Sequence, residues 1–245
     1  MWNWSVFLHY LHSTYLIEGA GVTLGLSVAA MVLGLACGLL AALMRLSSNR
    51  AASGISGFYI WVMRGTPVLV QLIVIYTGLP QLGIKLGVLP AAIIGLGVNE
   101  GAYLAEIFRA GIMAVPKGQR EAAQALGLSR LQCLRLVILP QALRIVIPPI
   151  GNSFNGMMKM SSLASVISMN ELLRRTEMLI QVQFRVLELF VVASIYYLIL
   201  TTAWGFVQRK IEQSMSRADA LTSGATAEPI PPVDRQAMAH SHDAM

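Results

Sequence analysis

Residues 23–44 read TLGLSVAAMVLGLACGLLAALM and contain no charged side chain. About 20 such residues form a helix that is long enough to cross the hydrocarbon core of a bilayer. The whole chain has 245 residues, of which 56% are hydrophobic and only 12% are charged. Because a soluble domain carries about twice that charged fraction, the sequence predicts an all-α integral membrane protein.

Four further apolar blocks extend this pattern, so we expect about five transmembrane helices in all. The blocks cover residues 58–80, 88–114, 142–167 and 187–207. The fourth span is the least regular, because Pro148 and Pro149 have no N–H and are expected to interrupt helical hydrogen bonding.

Small residues within the spans suggest close contacts between helices. Three glycine pairs have the four-residue spacing that is typical of tightly packed membrane helices: Gly21 with Gly25, Gly34 with Gly38, and Gly97 with Gly101. The two cysteines are too few for a disulfide framework.

The distribution of Lys and Arg predicts the orientation, because cytoplasmic loops are enriched in both. No Lys or Arg precedes Arg45, which places the N-terminus outside and argues against a cleaved signal peptide. With five spans the C-terminus is then inside. Most basic residues fall in segments expected inside; those expected outside are Lys85, Arg174, Arg175 and Arg185. Since the charges alternate with spans and do not cluster, the net charge of +6 does not indicate nucleic-acid binding.

The chain is therefore expected to have three parts. Residues 1–22 form an outer, periplasmic segment, residues 23–213 form the transmembrane domain, and residues 214–245 form a cytoplasmic tail. The tail lacks apolar blocks and is expected to be disordered. Its His240 and His242 are interpreted as solvated residues, and no metal site is expected.

The longest segment between spans, residues 115–141, predicts a compact helix–Gly–helix unit on the cytoplasmic side. Residues 119–126 favour a helix, and Gly127 suits the left-handed conformation that closes one. Ser129 with Gln132 three residues later predicts a capping box that begins a second helix.

The second helix of this unit is expected to be amphipathic and to end at Pro140. Its apolar face would comprise Leu131, Leu134 and Val137. On the first helix, Ala122 and Ala123 would form a smooth surface of small residues. These features fit docking to a protein and anchoring to lipid about equally well.

A resemblance favours docking. Glu121-Ala122-Ala123, then Gly127 and Val137-Ile138-Leu139-Pro140 resemble the EAA loop of ABC-importer permeases, with Val137 in place of an isoleucine. The resemblance implies that the loop docks in a cleft of a cytoplasmic ATPase and transmits the movement of that ATPase to the spans. The residues that would make this contact are Glu121, Ala122, Ala123, Gly127, Leu139 and Pro140.

Residues 58–71, 101–111 and 159–167 are similar to segments of the polar amino-acid branch of these permeases, and the resemblance covers roughly residues 15–213. Met160 departs from the pattern, because a polar residue is more usual there. The resemblance implies a non-catalytic subunit in a bacterial inner membrane, which forms the path of a polar amino acid. It also implies several partners: ABC ATPase subunits that hold the ATP and magnesium, a second permease subunit (identical or paralogous), a periplasmic amino-acid-binding protein, and the lipid bilayer. No cofactor is expected on this chain. The loop at residues 169–186 would be either a landing surface for the binding protein or a solvated loop, and its charged residues are Glu171, Arg174, Arg175, Glu177 and Arg185.

Ionisable and polar residues inside spans are costly and are candidates for function. In the third span, Asn99, Tyr103 and Glu106 share one face, and Glu106 with Arg109 is expected to form a structural pair. Glu100 could contact a substrate ammonium group, or it could pair with Arg64 or Lys159.

In the fourth span, Asn152, Asn155 and Lys159 lie on nearly one face and are expected either to line the substrate path or to bond between helices. Arg64 and Pro67 in the second span are interpreted as architectural, at a helix start or kink.

Two other classes of membrane protein fit the sequence less well than an importer permease. An integral membrane enzyme would need a nucleophile–base set or a metal cluster, whereas the four histidines lie outside the spans and no HExxH or GxSxG motif is present. A self-contained secondary transporter or channel would leave the helix–Gly–helix unit unexplained, and it remains the alternative interpretation.

Overall fold

The computed structural model describes residues 2–224 and the side chains of residues 2–215, and within that part the chain is helical and has no strand. The helices are α1 (Trp4–Leu11), α2 (Thr14–Leu46), α3 (Arg50–Gly65), α4 (Val68–Leu82), α5 (Val88–Ala114), α6 (Lys117–Ala125), α7 (Arg130–Ile167), α8 (Leu172–Gln183) and α9 (Val186–Gly224). The predicted all-α class is confirmed.

Four helices are long and apolar enough to cross a membrane, and a fifth span results if a bent pair counts as one. The four are α2, α5, α7 and the part of α9 that runs to Met215, and the bent pair is α3 with α4, at 104° to each other. About five spans are therefore confirmed. The second span is broken at Thr66 and Pro67, which agrees with the helix start or kink that was predicted there. The residue before a proline favours an extended backbone, and Thr66 has φ −122° and ψ 145°.

The centre of the bundle is the contact between α2 and α5, which the paired glycines make possible. An added Cβ on Gly38 would lie 2.7 Å from Cβ of Leu104, and one on Gly97 would lie 2.8 Å from the carbonyl oxygen of Ala30. Side chains at these positions would push the two helices apart, so the predicted close packing is confirmed for these two pairs. It is wrong for Gly21 and Gly25, where an added Cβ would meet no atom within 4 Å.

The prolines of α7 do not end or interrupt the helix, and both of those predictions are wrong. Pro140 lies in the first turn of the helical segment Leu139–Met160, where a missing N–H is tolerated, and it follows a π turn at Leu134–Ile138. Pro148 and Pro149 lie inside that segment. There, Nε2 of Gln208 on neighbouring α9 donates to the carbonyl oxygen of Pro148 at 3.4 Å.

The chain up to Arg209 forms one compact unit, and the residues from Lys210 onward form a second. As far as it is described, the second unit is the C-terminal end of α9. The expected boundary of the tail at residue 214 falls within this helix, which continues to Gly224. The remainder of the tail, with His240 and His242, lies outside the described residues.

Candidate functional site

A cavity of about 920 Å³ opens beside the break between α3 and α4 and is also lined by α5 and α7. It brings together all the polar or charged candidates from the second and third spans. These are Arg64, Asn99, Glu100, Tyr103, Glu106 and Arg109, and Pro67 lies at its wall. Positive, negative and neutral polar groups therefore face one space inside an otherwise apolar bundle.

The break itself is held by two amide side chains. Nε2 of Gln71 donates to the carbonyl oxygen of Met63 at 3.0 Å and to Oγ1 of Thr66 at 2.7 Å. Nδ2 of Asn99 also donates to the carbonyl oxygen of Met63, at 2.9 Å, and to Oε1 of Gln71, at 3.1 Å. A helix that ends inside a membrane leaves carbonyl groups without backbone donors, and these amides supply them.

Gln71 was not singled out as a site residue from the sequence. The available signal was an amide four residues after Pro67 in an otherwise apolar segment, since such a polar group needs a partner inside a bilayer. Asn99, predicted for the substrate path, lines the cavity but uses its amide nitrogen to hold the break.

Glu100 is buried, and its carboxyl group interacts with the hydroxyl group of Ser153 on α7. Within the described part of the chain it forms no salt bridge with Arg64 or Lys159. The guanidinium group of Arg64 instead stacks on the ring of Tyr103, 5.2 Å from its centre. The cavity thus has a cation and a buried acid that are not paired with each other.

Glu106 and Arg109 form the expected pair. Oε2 of Glu106 accepts from Nη2 of Arg109 at 2.7 Å and from Nε at 3.1 Å. Both side chains are about one-third exposed. They line the cavity as a polar pair in which each charge is neutralised by the other.

The predicted polar face of α7 points away from this cavity. Asn152 accepts from Gln208 of α9 at 3.1 Å, Oδ1 of Asn155 is buried without a hydrogen-bond partner in the described residues, and Lys159 is exposed. The residues of α7 that line the cavity are Ser153, Gly156 and Met160. A role of Asn152, Asn155 and Lys159 in the substrate path stays a prediction.

The loop at residues 115–141 has the local structure that was expected at its centre. α6 ends before Gly127, which has φ +75°. Ser129 and Gln132 form both bonds of a capping box. Glu121, Ala122 and Gly127 are exposed, as are Leu139 and Pro140 further along.

The expected surface of small residues is only half correct. Ala122 is exposed, but Ala123 is 3% exposed and packs in an apolar cluster. The cluster also contains Val115, Cys133, Ile138 and Ala142. Ala123 therefore packs α6 against the C-terminal end of α5 and the N-terminal part of α7. Of the large apolar side chains that this loop exposes, Leu126 has the highest exposed fraction, 81%, and it was not predicted.

The second helix of the loop exposes two of the three residues predicted for its apolar face. Leu131 is 63% exposed and Leu134 is also exposed, whereas Val137 packs against buried Cys133 and Ile138. The π turn at Leu134–Ile138 changes the helical register, so that Cys133 and Ile138 both face the protein.

On the opposite side of the bundle, α8 occupies the loop that was expected to be a landing surface. Glu171 is fully buried at the N-terminus of α8, where Oε1 accepts from the backbone of Arg174 at 2.8 Å. Its Oε2 accepts from the hydroxyl groups of Thr23 and Tyr197, at 3.3 Å and 2.9 Å. Burial raises the pKa of Glu171 above its ordinary value, although these donors oppose the shift.

Arg175 also faces inward, towards α2. Its Nη1 donates to Glu18 at 2.8 Å and to the carbonyl oxygen of Tyr15 at 2.7 Å. Glu171 and Arg175 were both expected on the landing surface, and the structure contradicts this. Arg174 and Glu177, 3.7 Å apart, remain partly exposed.

Comparison with known proteins identifies the family of the chain. A family model described as the binding-protein-dependent transport system inner membrane component matches residues 34–217. The chain belongs to this family. The permease also resembles the glutamine transport system permease protein GlnP of Escherichia coli strain K12. The two are 42% identical over 202 residues, covering 82% of this chain and 92% of GlnP.

Two further similarities agree. The arginine transport system permease protein ArgU of Corynebacterium glutamicum is 35% identical over 235 residues, covering 90% of this chain and 74% of ArgU. A solved structure described as an amino acid ABC transporter with histidines has a TM-score of 0.82 and 36% identity, covering 87% of this chain and 99% of its own. The protein is thus a multi-pass ABC permease of the polar amino-acid type, and this identification is favoured over a secondary transporter or channel. Members of this family are transport components, which work with an ATPase and a binding protein.

Proposed function

We propose that the cavity beside the helix break is the path of a polar amino acid through this permease. The observation that carries the proposal is the combination, in one space, of an accessible cation and a buried acid. Arg64 is exposed and stacked on Tyr103, and Glu100 is buried beside Ser153. The relatives named for glutamine and arginine transport support a polar amino acid as the substrate.

The chemistry of the cavity matches a zwitterion. A guanidinium group can bind a carboxylate with two parallel hydrogen bonds, so Arg64 would take the α-carboxylate. An acid at membrane depth gains from a cationic partner, so Glu100 would take the ammonium group. Asn99 and Gln71 would keep the break, and with it Arg64, in place.

Energy would come from a partner ATPase that binds the loop at residues 115–141. The contact would be made by exposed Glu121, Ala122, Leu126 and Gly127, with Leu139 and Pro140 behind them. ATP and magnesium would be held by that ATPase, and this chain would hydrolyse nothing and bind no cofactor. A second permease subunit and a periplasmic binding protein would complete an importer in the bacterial inner membrane.

The loop assignment is tested by purifying the protein from its host membranes in mild detergent and measuring the ATPase that accompanies it. We expect an ATP-binding subunit with the wild type and its loss with Glu121→Lys. Glu177→Lys is the matched control, because it makes the same charge change at a partly exposed side chain of α8, outside the loop, and it should retain the ATPase. Absence of an ATPase from the wild-type preparation would overturn the proposal.

The cavity assignment is tested by the concentration dependence of amino-acid uptake. A hydrogen bond to a charged group contributes about 1.5–3 kcal/mol, so Arg64→Gln should raise the KM of uptake by at least about tenfold. Lys85→Gln removes a positive charge from an exposed position outside the cavity and should leave the KM unchanged. Equal KM values for Arg64→Gln and the wild type would contradict this path.

A further inference from the structure

The third span, α5, ends at a carbonyl group that its own backbone does not satisfy. In a continuing helix, the carbonyl oxygen of Ile112 would accept from the N–H of residue 116. That residue is Pro116, which has no N–H. A carbonyl group that is left without a donor away from water is costly, so this end of α5 needs a donor from elsewhere.

Arg120 of α6 supplies that donor. Its Nη2 lies 2.9 Å from the carbonyl oxygen of Ile112. A positive charge at the C-terminal end of a helix is further stabilised by the helix dipole. The side chain is half-buried, and its Nε is buried without a hydrogen-bond partner among the described residues. Arg120 is thus directed into the protein and away from the cytoplasmic surface.

The adjacent residue faces the other way. Glu121 is exposed on the face proposed to bind the ATPase. Two consecutive residues of α6 therefore face in different directions. Arg120 contacts the end of α5, and Glu121 faces the cytoplasm. The span in question is the one that places Asn99, Glu100 and Tyr103 in the cavity.

We propose that Arg120 is a positioning residue that transmits movement of α6 to α5, and through α5 to the cavity. This inference rests on the proposed function, since it presumes that an ATPase moves α6. The apolar seat of Ala123 holds α6 against the ends of the spans. The charged bond of Arg120 adds a directional link to one of them, because it joins a fixed side-chain donor to one backbone acceptor.

The experiment uses the whole complex, reconstituted with its ATPase and binding protein. Arg120→Met keeps a long apolar stem but has no donor, and Arg120→Lys keeps the charge but not the planar donor geometry. Lys117→Met is the matched control, because it removes an exposed positive charge from the same helix. Three quantities are measured: ATPase retained per permease, ATP hydrolysed, and amino acid transported per ATP.

We expect all variants to retain the ATPase and to hydrolyse ATP. Since coupling between sites typically corresponds to about 5- to 150-fold effects, Arg120→Met should lower the amino acid transported per ATP at least about fivefold. Arg120→Lys should recover part of this loss, and Lys117→Met should match the wild type.

The inference is overturned if Arg120→Met transports as much amino acid per ATP as the wild type, or if Arg120→Met and Lys117→Met lose the same amount. It is also overturned if Arg120→Lys keeps the ATPase but shows no recovery, because the charged link would then not matter. A wild-type preparation without an ATPase would instead refute the proposed function, so the two failures are distinguishable.

Discussion

Nδ2 of Asn99 donates to Oε1 of Gln71 at 3.1 Å, across the break between α3 and α4. Both amides also donate to the same acceptor, the carbonyl oxygen of Met63. Two residues that lie 28 positions apart in the sequence thus together supply hydrogen bonds to the C-terminal end of α3 inside the bundle.

Removing either amide should destabilise the protein. Leaving a buried polar group unsatisfied costs about 1–3 kcal/mol, so Gln71→Leu and Asn99→Leu should each lower the free energy of unfolding by roughly that amount. Because the bond between the two amides is lost in either single variant, the double variant should lose less than the sum. Denaturant unfolding in detergent measures this, and Gln124→Leu, on an exposed position of α6, is the control. Additive losses would contradict a shared network.

The contact between α2 and α5 predicts a contrast between two glycines of one helix. Gly38→Ala would bring its Cβ to 2.7 Å from Leu104 and to 2.9 Å from the carbonyl oxygen of Gly101. Such overpacking typically costs about 1–3 kcal/mol. Gly25→Ala meets no atom within 4 Å and should be neutral or slightly stabilising. The melting temperatures of the two variants in detergent test this, and equal values would refute the close packing.

Burial of Glu171 predicts a pH dependence of stability. Its pKa is raised above the ordinary value of 4.5, so the folded protein holds this proton more tightly than the unfolded chain. The stabilisation is full below that ordinary value and is lost as the pH rises through the raised pKa. The free energy of unfolding should therefore fall with rising pH in this window, and Glu171→Gln should reduce the slope. An unchanged slope in Glu171→Gln would show that other groups cause the dependence.

Because Leu126 is exposed, its substitution is expected to weaken binding of the ATPase without changing the stability of the folded subunit. Burying a leucine side chain contributes about 1.5–3 kcal/mol, so Leu126→Ser should weaken association with the ATPase by about tenfold or more. Thermal stability of the isolated subunit should not change, because the side chain is exposed. The control is Leu82→Ser, since Leu82 is similarly exposed but lies at the end of α4. Titration of the purified ATPase against both variants measures the effect, and equal affinities would remove Leu126 from the contact.

The sequence predicts well those features that depend on local properties. The third apolar block, residues 88–114, coincides with α5 because span length follows from the thickness of the hydrocarbon core. Gly127 and the Ser129–Gln132 capping box were also predictable, since backbone conformation and cap bonds involve neighbours in the chain.

The features that depend on tertiary contacts or on shifts in helical register were not predictable in this way. The bonds of Gln71 join residues from different helices. The π turn at Leu134–Ile138 changes the register of α7 in a manner that a regular periodicity does not anticipate. Glu171 was expected at the surface because the residues around it in the sequence are the same whether its carboxylate caps a helix in the interior or lies exposed in a loop. Its burial follows from contacts with Thr23 and Tyr197.

The most direct test of the account is amino-acid uptake by proteoliposomes that contain the complex purified from host membranes, with its binding protein outside. We predict that uptake requires ATP on the ATPase side, is insensitive to an ionophore that collapses ion gradients, and is abolished by Glu121→Lys. Uptake that proceeds without ATP and stops with the ionophore would contradict the account and indicate a self-contained secondary transporter.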